Sequence, residues 1–358
     1  MSNKNEKCCK KTKIGGQALI EGIMMKGVSK GAMAVRLKEG GIDVEEWDLP
    51  KPKWYNKAPF IRGSINFVTS MSEGYRLMMK SAEKSGMLDE EEGEEPTKFE
   101  KWLDEKLGDK LTGVIMAIAM VIGVAMAVFL FAFVPTALFD WIETLMPMVQ
   151  LDVDPAILKT LLPACVSTEG AVITAPLDIS MWQAVFEGVM RMIIFVAYMA
   201  VVSRMKDIRR TYEYHGAEHK TIACYEAGEE LIVDNVKKHT RFHPRCGTSF
   251  IILSLLVSIL VYTVVPIQPQ EWFGITNGAI AALARVAIKL LLLPLVVGIA
   301  YELIRIAGRH TNIFTRIMSA PGLWMQRLTT CEPDDKQIEI AIAAIKPVLP
   351  REGENDEW

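Results

Sequence analysis

The sequence predicts an α-helical polytopic membrane protein of about four transmembrane helices. A small cytoplasmic β-rich N-terminal unit precedes them and a cytoplasmic helical segment follows. Three observations carry that prediction. Gly113 to Phe139 contains no charged residue, and about 20 such residues suffice to cross a hydrocarbon core. The chain of 358 residues is 50% hydrophobic with a positive mean hydropathy of +0.20, which at this length points to lipid rather than to one very large core. Basic residues also cluster in one inter-span segment and are nearly absent from another, as membrane topology requires.

In chain order, residues 1–13 form a flexible basic tail, with Cys8-Cys9 readable as a mobile thiol pair or a lipidation target. Residues 14–58 form the β-rich unit. Glycines punctuate short apolar runs from Gly15 to Gly27, and a Glu39-Gly40-Gly41 turn separates Ala32–Leu37 from Ile42–Trp47, which predicts a hairpin. Glu21, alone among apolar neighbours, reads as a half-exposed strand residue rather than a site.

Residues 59–110 combine an amphipathic helix, an acidic linker at Asp89–Glu95 and a charged juxtamembrane helix from Lys98 to Lys110. The first helix opens at Pro59 and aligns Phe60, Ser64, Phe67, Met71, Tyr75 and Met78 in a stripe expected to pack on its own domain. Spans follow at 113–139, 181–203, 248–266 and 279–303.

The loop 140–180 holds six acids and one base, Lys159, so it belongs outside. The loop 204–247 carries Arg204, Lys206, Arg209, Arg210, Lys220, Lys237, Lys238, Arg241 and Arg245, so it belongs inside. Both termini are then cytoplasmic. After Arg309 the C-terminal segment 304–350 contains a turn at Ser319-Ala320-Pro321-Gly322 and a helix from Asp334 to Leu349 that docks on the N-terminal unit, and the tail 351–358 is disordered.

The chemistry concentrates in the inside loop. Four of five histidines fall there, as His215, His219, His239 and His243. On a helix His215 and His219 share a face with Glu218 beside them, which is half of a metal site. His243 and Cys246 can complete the shell, and the order His-x-x-Glu-His suits Glu218 to a base role on metal-activated water. Glu226, on the same helical face, and Glu302, near the inner end of the fourth span, are further candidate ligands or ion-pair partners. Zinc is the divalent ion that such a donor set favours. The bland alternative is a hydrogen-bonded loop whose histidines only brace the fold.

Within the spans, Glu187 lies at a depth that lets it pair with Arg285 or Lys289, since charges left unpaired in a bilayer are costly. A net charge of −3 offers no nucleic-acid footprint. Six cysteines without a disulfide framework suit reducing surroundings.

Four motifs in order, Gly-Gly-Gln-Ala-Leu-Ile-Glu-Gly-Ile-Met-Met-Lys-Gly (15–27), His-Gly-Ala-Glu-His-Lys (215–220), Arg-Phe-His-Pro-Arg-Cys-Gly-Thr (241–248) and Pro-Gly-Leu-Trp-Met-Gln-Arg-Leu-Thr-Thr (321–330), resemble those of the YqhQ-like bacterial membrane proteins. That resemblance implies a bacterial cytoplasmic membrane and a domain of unknown function labelled a predicted metal-dependent enzyme. Three classes stay open: a metal-dependent hydrolase acting on a lipid or membrane-proximal peptide, a non-catalytic assembly factor gripping a membrane protein partner, and a small transporter, the last disfavoured by few polar span residues.

Overall fold

The computed structural model describes residues 11–51, 53–54, 58–87, 111–145, 180–265, 267–309, 312–351 and 353–357. Cys8, Cys9, the acidic stretch Asp89–Glu95, the stretch Lys98–Lys110 expected as a juxtamembrane helix and residues 146–179 of the loop expected outside lie beyond them.

Four strands open the chain: β1 (Gly15–Leu19), β2 (Gly22–Lys26), β3 (Lys30–Arg36) and β4 (Ile42–Asp48), joined as an antiparallel meander in the order β1-β2-β3-β4. Register follows short turns, with Leu19 opposite Gly22 and Arg36 opposite Ile42. Glu21 belongs to the first turn rather than to a strand. Its φ of 50° is unfavourable for a residue with a Cβ. The carboxylate is held there by Arg210, with Nη2 donating at 2.7 Å, and by the Tyr214 hydroxyl at 3.1 Å.

Both faces of this sheet are covered, which is why β2 reads as a continuous apolar run instead of alternating. On one face Leu19, Met24, Met33 and Val35 pack with Leu77 of helix α1 (Ile61–Lys84). On the other, Ile23, Met25, Ala32 and Ala34 meet two helices that arrive much later in the chain, Lys206–Glu226 and Asp335–Ile345.

The buried line of α1 differs from the expected stripe. Gly63, Gly74, Leu77, Ser81 and Ala82 are buried, whereas Met71 and Tyr75 are exposed. The helix makes two close approaches through glycine, at Gly63 against Tyr301 and at Gly74 against Gln17, and small residues carry no weight in a hydrophobic pattern.

Among the described residues, four helices are long and apolar enough to cross a membrane. Helix α2 comprises Leu111–Val128, a π turn at Phe129–Phe133 and Val134–Leu145. Pro135 cannot donate to Phe131, and the carbonyl so freed accepts from Arg191 Nε at 2.6 Å. Helix α3 is Ser180–Val202, followed by α4 (Lys206–Glu226), α5 (Gly247–Val264) and α6 (Gly278–Arg309). Both α2 and α6 outrun the expected spans. The bundle ends where α3 finishes and α5 starts, and there α4 runs out beneath the sheet.

Two further helices close the structure. Helix α7 (Ile313–Thr329) passes straight through Pro321-Gly322, where a turn was expected. Tertiary packing overrides the local signal, because Gly322 seats against Ser249 of α5, where a Cβ would stand 2.5 Å from the serine oxygen. Helix α8 (Asp335–Ile345) starts with a capping box between Asp334 and Gln337 and buries Ile338, Ile340, Ala341, Ile342 and Ile345.

Within the tails expected to be flexible, the described residues 11–13 and 353–357 pair with each other. Thr12 pairs with Glu357 in a β-bridge, Lys13 N donates to the Asp356 carbonyl at 2.6 Å, and Asp356 is 1% exposed. Its carboxylate accepts from Thr12 Oγ1 at 3.1 Å and from the Tyr225 hydroxyl at 2.9 Å.

Candidate metal centre

Helix α4 is polar in composition yet largely buried, and its inward residues carry the chemistry. Gly216, Ala217, Glu218, His219, Lys220 and Thr221 are all buried. Gly216 is required for contact: a Cβ there would run into the Cys331 carbonyl. The other half of the site comes from Cys246, the N-cap residue of α5.

His215, His219 and Cys246 bring one ligand atom each to within 4.8 Å of one another. His215 Nε2 lies 3.2 Å from Cys246 Sγ. A tetrahedral zinc ion with ordinary Zn–S and Zn–N bonds sets such atoms about 3.6 Å apart. The far side of each ring is fixed by the main chain: His215 Nδ1 lies 2.9 Å from the Thr329 carbonyl and His219 Nδ1 lies 2.6 Å from the Arg241 carbonyl. A carbonyl only accepts, so both Nδ1 atoms carry hydrogen. In neutral rings both Nε2 atoms then present lone pairs, with one thiol hydrogen to share between them. Either a proton moves to give imidazolium and thiolate, or a cation takes its place.

The electrostatics agree with that reading. Burial opposes charge on His215, yet the Cys246 sulfur beside it pushes the imidazole up to about 9. Burial raises the Cys246 thiol, and the His215 and His219 rings outweigh it, holding the thiol well below its usual range.

Glu218 lies on α4 between the two histidines and is 4% exposed. Burial pushes its carboxyl above the usual range, against the pull of His215 and His219 and of a hydrogen bond from Gly16 N–H. Its Oε2 is buried without a hydrogen-bond partner among the described residues. Gly16 lets β1 come this close: a Cβ there would stand 3.0 Å from Glu218 Cδ and 2.9 Å from the Met25 sulfur. Two imidazole nitrogens and one sulfur fit a borderline divalent ion, with the orphaned Glu218 oxygen outside that group of three, and carbonyl-anchored rings are the usual support for such ligands.

The remaining sequence candidates fall elsewhere. His243 stands outside the group, since its Nε2 accepts from Arg245 Nη2 at 3.2 Å while its main chain is clamped by Gln326, with His243 N donating at 2.8 Å and Gln326 Nε2 donating back at 2.7 Å. Burial moves its imidazole below the usual range. Glu226 binds Arg245 and accepts from Thr12 N at 2.7 Å, so it ties the N-terminal segment to α4 instead of ligating. Glu302 is paired with Arg62, whose Nε donates at 2.7 Å. Glu187 meets Lys289, and Arg285 turns to Asp140 at 3.1 Å.

Sequence reasoning missed the supporting shell of Thr329, Arg241, Gly16 and Gln326, although all four lie in the motifs quoted above. It also missed a second group, Cys224, Glu229 and His239. There His239 pairs with Glu229 at 3.2 Å, and burial pushes the Cys224 thiol up to about 11, away from the thiolate a metal needs.

A family model described as a protein of unknown function, DUF1385, matches residues 58–351. The chain is 31% identical over 341 residues to a Bacillus subtilis protein described as uncharacterized protein YqhQ, covering 94% of this chain and 92% of that one. No solved structure matches.

Proposed function

This chain belongs to the YqhQ-like DUF1385 family, and from that premise we propose that it is a metal-dependent, hydrolase-like enzyme of a bacterial cytoplasmic membrane. Its centre is held by His215, His219 and Cys246, and its termini and sheet face the cytoplasm. The observation that carries the proposal is the pair of carbonyl-fixed histidines turning two Nε2 lone pairs toward one sulfur. The loop charges support the orientation.

A divalent ion, zinc by the chemistry of the donors, supplies Lewis acidity and acidifies water. The chain does the rest. Thr329 and Arg241 hold the rings in one tautomer, Gly16 N–H fixes one side of the Glu218 carboxylate, and the free Oε2 accepts the proton of the attacking water. The junction of bundle and sheet suits a lipid or membrane-proximal peptide as substrate.

One observation favours a second reading. His219 is 1% exposed and Cys246 7%, and if Glu218 is the fourth ligand the shell is closed and structural. The protein is then an assembly factor that binds a membrane protein partner, with the centre bracing α4 against α5.

Elemental analysis of detergent-purified protein, with Glu218→Gln beside wild type, separates the two. An enzyme keeps its metal in the variant and loses function by about 10²- to 10⁴-fold. A closed structural centre loses metal affinity together with thermal stability. Wild-type protein purified without chelator and free of metal sinks both forms.

A further inference from the structure

The end of the bundle remote from the sheet gathers charge. The Glu187 side chain is 1% exposed, and its carboxylate is met by Lys289, by Thr136 Oγ1 at 3.1 Å, by Gln183 Nε2 at 3.0 Å and by Arg191 at 3.5 Å. Arg285, four residues before Lys289, reaches Asp140 through Nη1 at 3.1 Å. Its Nε is buried and has no partner among the described residues.

Three buried cations, Arg191 at 8% exposed, Arg285 at 6% and Lys289 at 8%, therefore share two carboxylates. One of these, Asp140, has 39% of its side chain exposed. Among the described residues the cluster carries one surplus positive charge in apolar surroundings, which is costly unless a counter-charge is present. Gln183, Glu187, Tyr262, Gln268, Arg285 and Lys289 line a half-open cavity at that point. It has room for about one or two water-sized groups.

We propose that this cavity binds a compact monovalent anion on Arg285 and Lys289. Size, charge and donor geometry converge on that ligand. The space excludes a whole polyatomic substrate, one negative charge offsets the surplus that the described residues carry, and the Arg285 and Lys289 side chains both line the cavity, so that a charge-assisted contact is available there even with the Glu187 carboxylate in the same lining. Two sources carry this chemistry: a lipid phosphodiester reaching one oxygen in from the headgroup layer, and a free halide. The site is separate from the His215 centre and does not depend on it.

The test uses full-length protein in nanodiscs of phosphatidylcholine alone or with phosphatidylglycerol, in chloride or gluconate at equal ionic strength, and reads the thermal unfolding midpoint. A saturable rise with chloride in phosphatidylcholine identifies the free ion. A rise with phosphatidylglycerol in gluconate identifies the headgroup. Either rise should vanish in Arg285→Gln. Should that variant fail to fold, Arg285→Lys, which keeps the charge, should need at least fivefold more anion for the same shift. No rise with either anion in wild type, an equal rise in Arg285→Gln, or an unchanged anion requirement in Arg285→Lys overturns the proposal.

Discussion

His215 and Cys246 face each other at 3.2 Å, nitrogen to sulfur, from two helices separated by 31 positions in the chain. Replacing either removes a donor and leaves its counterpart buried and unsatisfied. His215→Ala and Cys246→Ser should each lower the metal content of purified protein by about tenfold or more. Both should also bring the thermal midpoint down, whereas His243→Ala, whose ring serves Arg245, should keep its metal. Elemental analysis of the three variants beside wild type checks this ordering.

Gly16→Ala probes the contact that holds Glu218. The new methyl would meet the Met24 carbonyl first and then the Met25 sulfur and the Glu218 carboxylate, and overpacking of this kind costs about 1–3 kcal/mol. The expected result is a lowered denaturation midpoint with normal secondary structure by circular dichroism. Gly15→Ala, with nothing within 4 Å of its Cβ, should be nearly silent.

Lys289→Met leaves the Glu187 carboxylate with Arg191 as its remaining cation, at 3.5 Å. Breaking a buried pair on one side costs about 3 kcal/mol or more. The double change Glu187→Gln/Lys289→Met should recover much of that loss. A double-mutant cycle on thermal unfolding in detergent measures the coupling, and a recovery near zero would show that the two side chains act independently.

Acid sensitivity should be visible at the first turn of the sheet. Burial raises the Glu21 carboxyl, but Arg210 outweighs it and the folded value lies below the unpaired 4.5. The contribution of this pair is therefore complete above about 4.5 and is lost as pH falls through the lower folded value. Melting curves of wild type and Glu21→Gln, taken from pH 6 downwards, should converge in acid. A constant gap would refute the assignment.

The legible parts of the molecule were those with a local period. Apolar runs announce the spans, the Glu39-Gly40-Gly41 signal announces the β3–β4 turn, and the spacing of His215 and His219 announces a shared helical face. What sequence reading lost depends on partners far along the chain. The carbonyls of Thr329 and Arg241 have no residue-type signature, and Gly16 matters for a contact with Glu218 that only folding creates. Pro321 reads as a breaker until Ser249 is seen to anchor the helix beside it. Glu226 and Glu302 carry a ligand's chemistry, but Arg245 and Arg62 occupy them.

The sheet leaves the ribosome before the helices that cover it. Ile23, Met25, Ala32 and Ala34 are covered by Ile338, Ala341 and Ile345, and the bond between Thr12 and Asp356 ties the segment before β1 to the segment after α8. During synthesis every membrane helix must be made before that covering arrives, so the strands emerge with an apolar face open and an edge unpaired. The His215 centre inherits the same schedule, because Thr329 also follows all four apolar helices in the chain. A ribosome stalled before α8 would hold a chain with its helices inserted and its sheet unsealed, a state that folding helpers and proteases can distinguish from the completed protein.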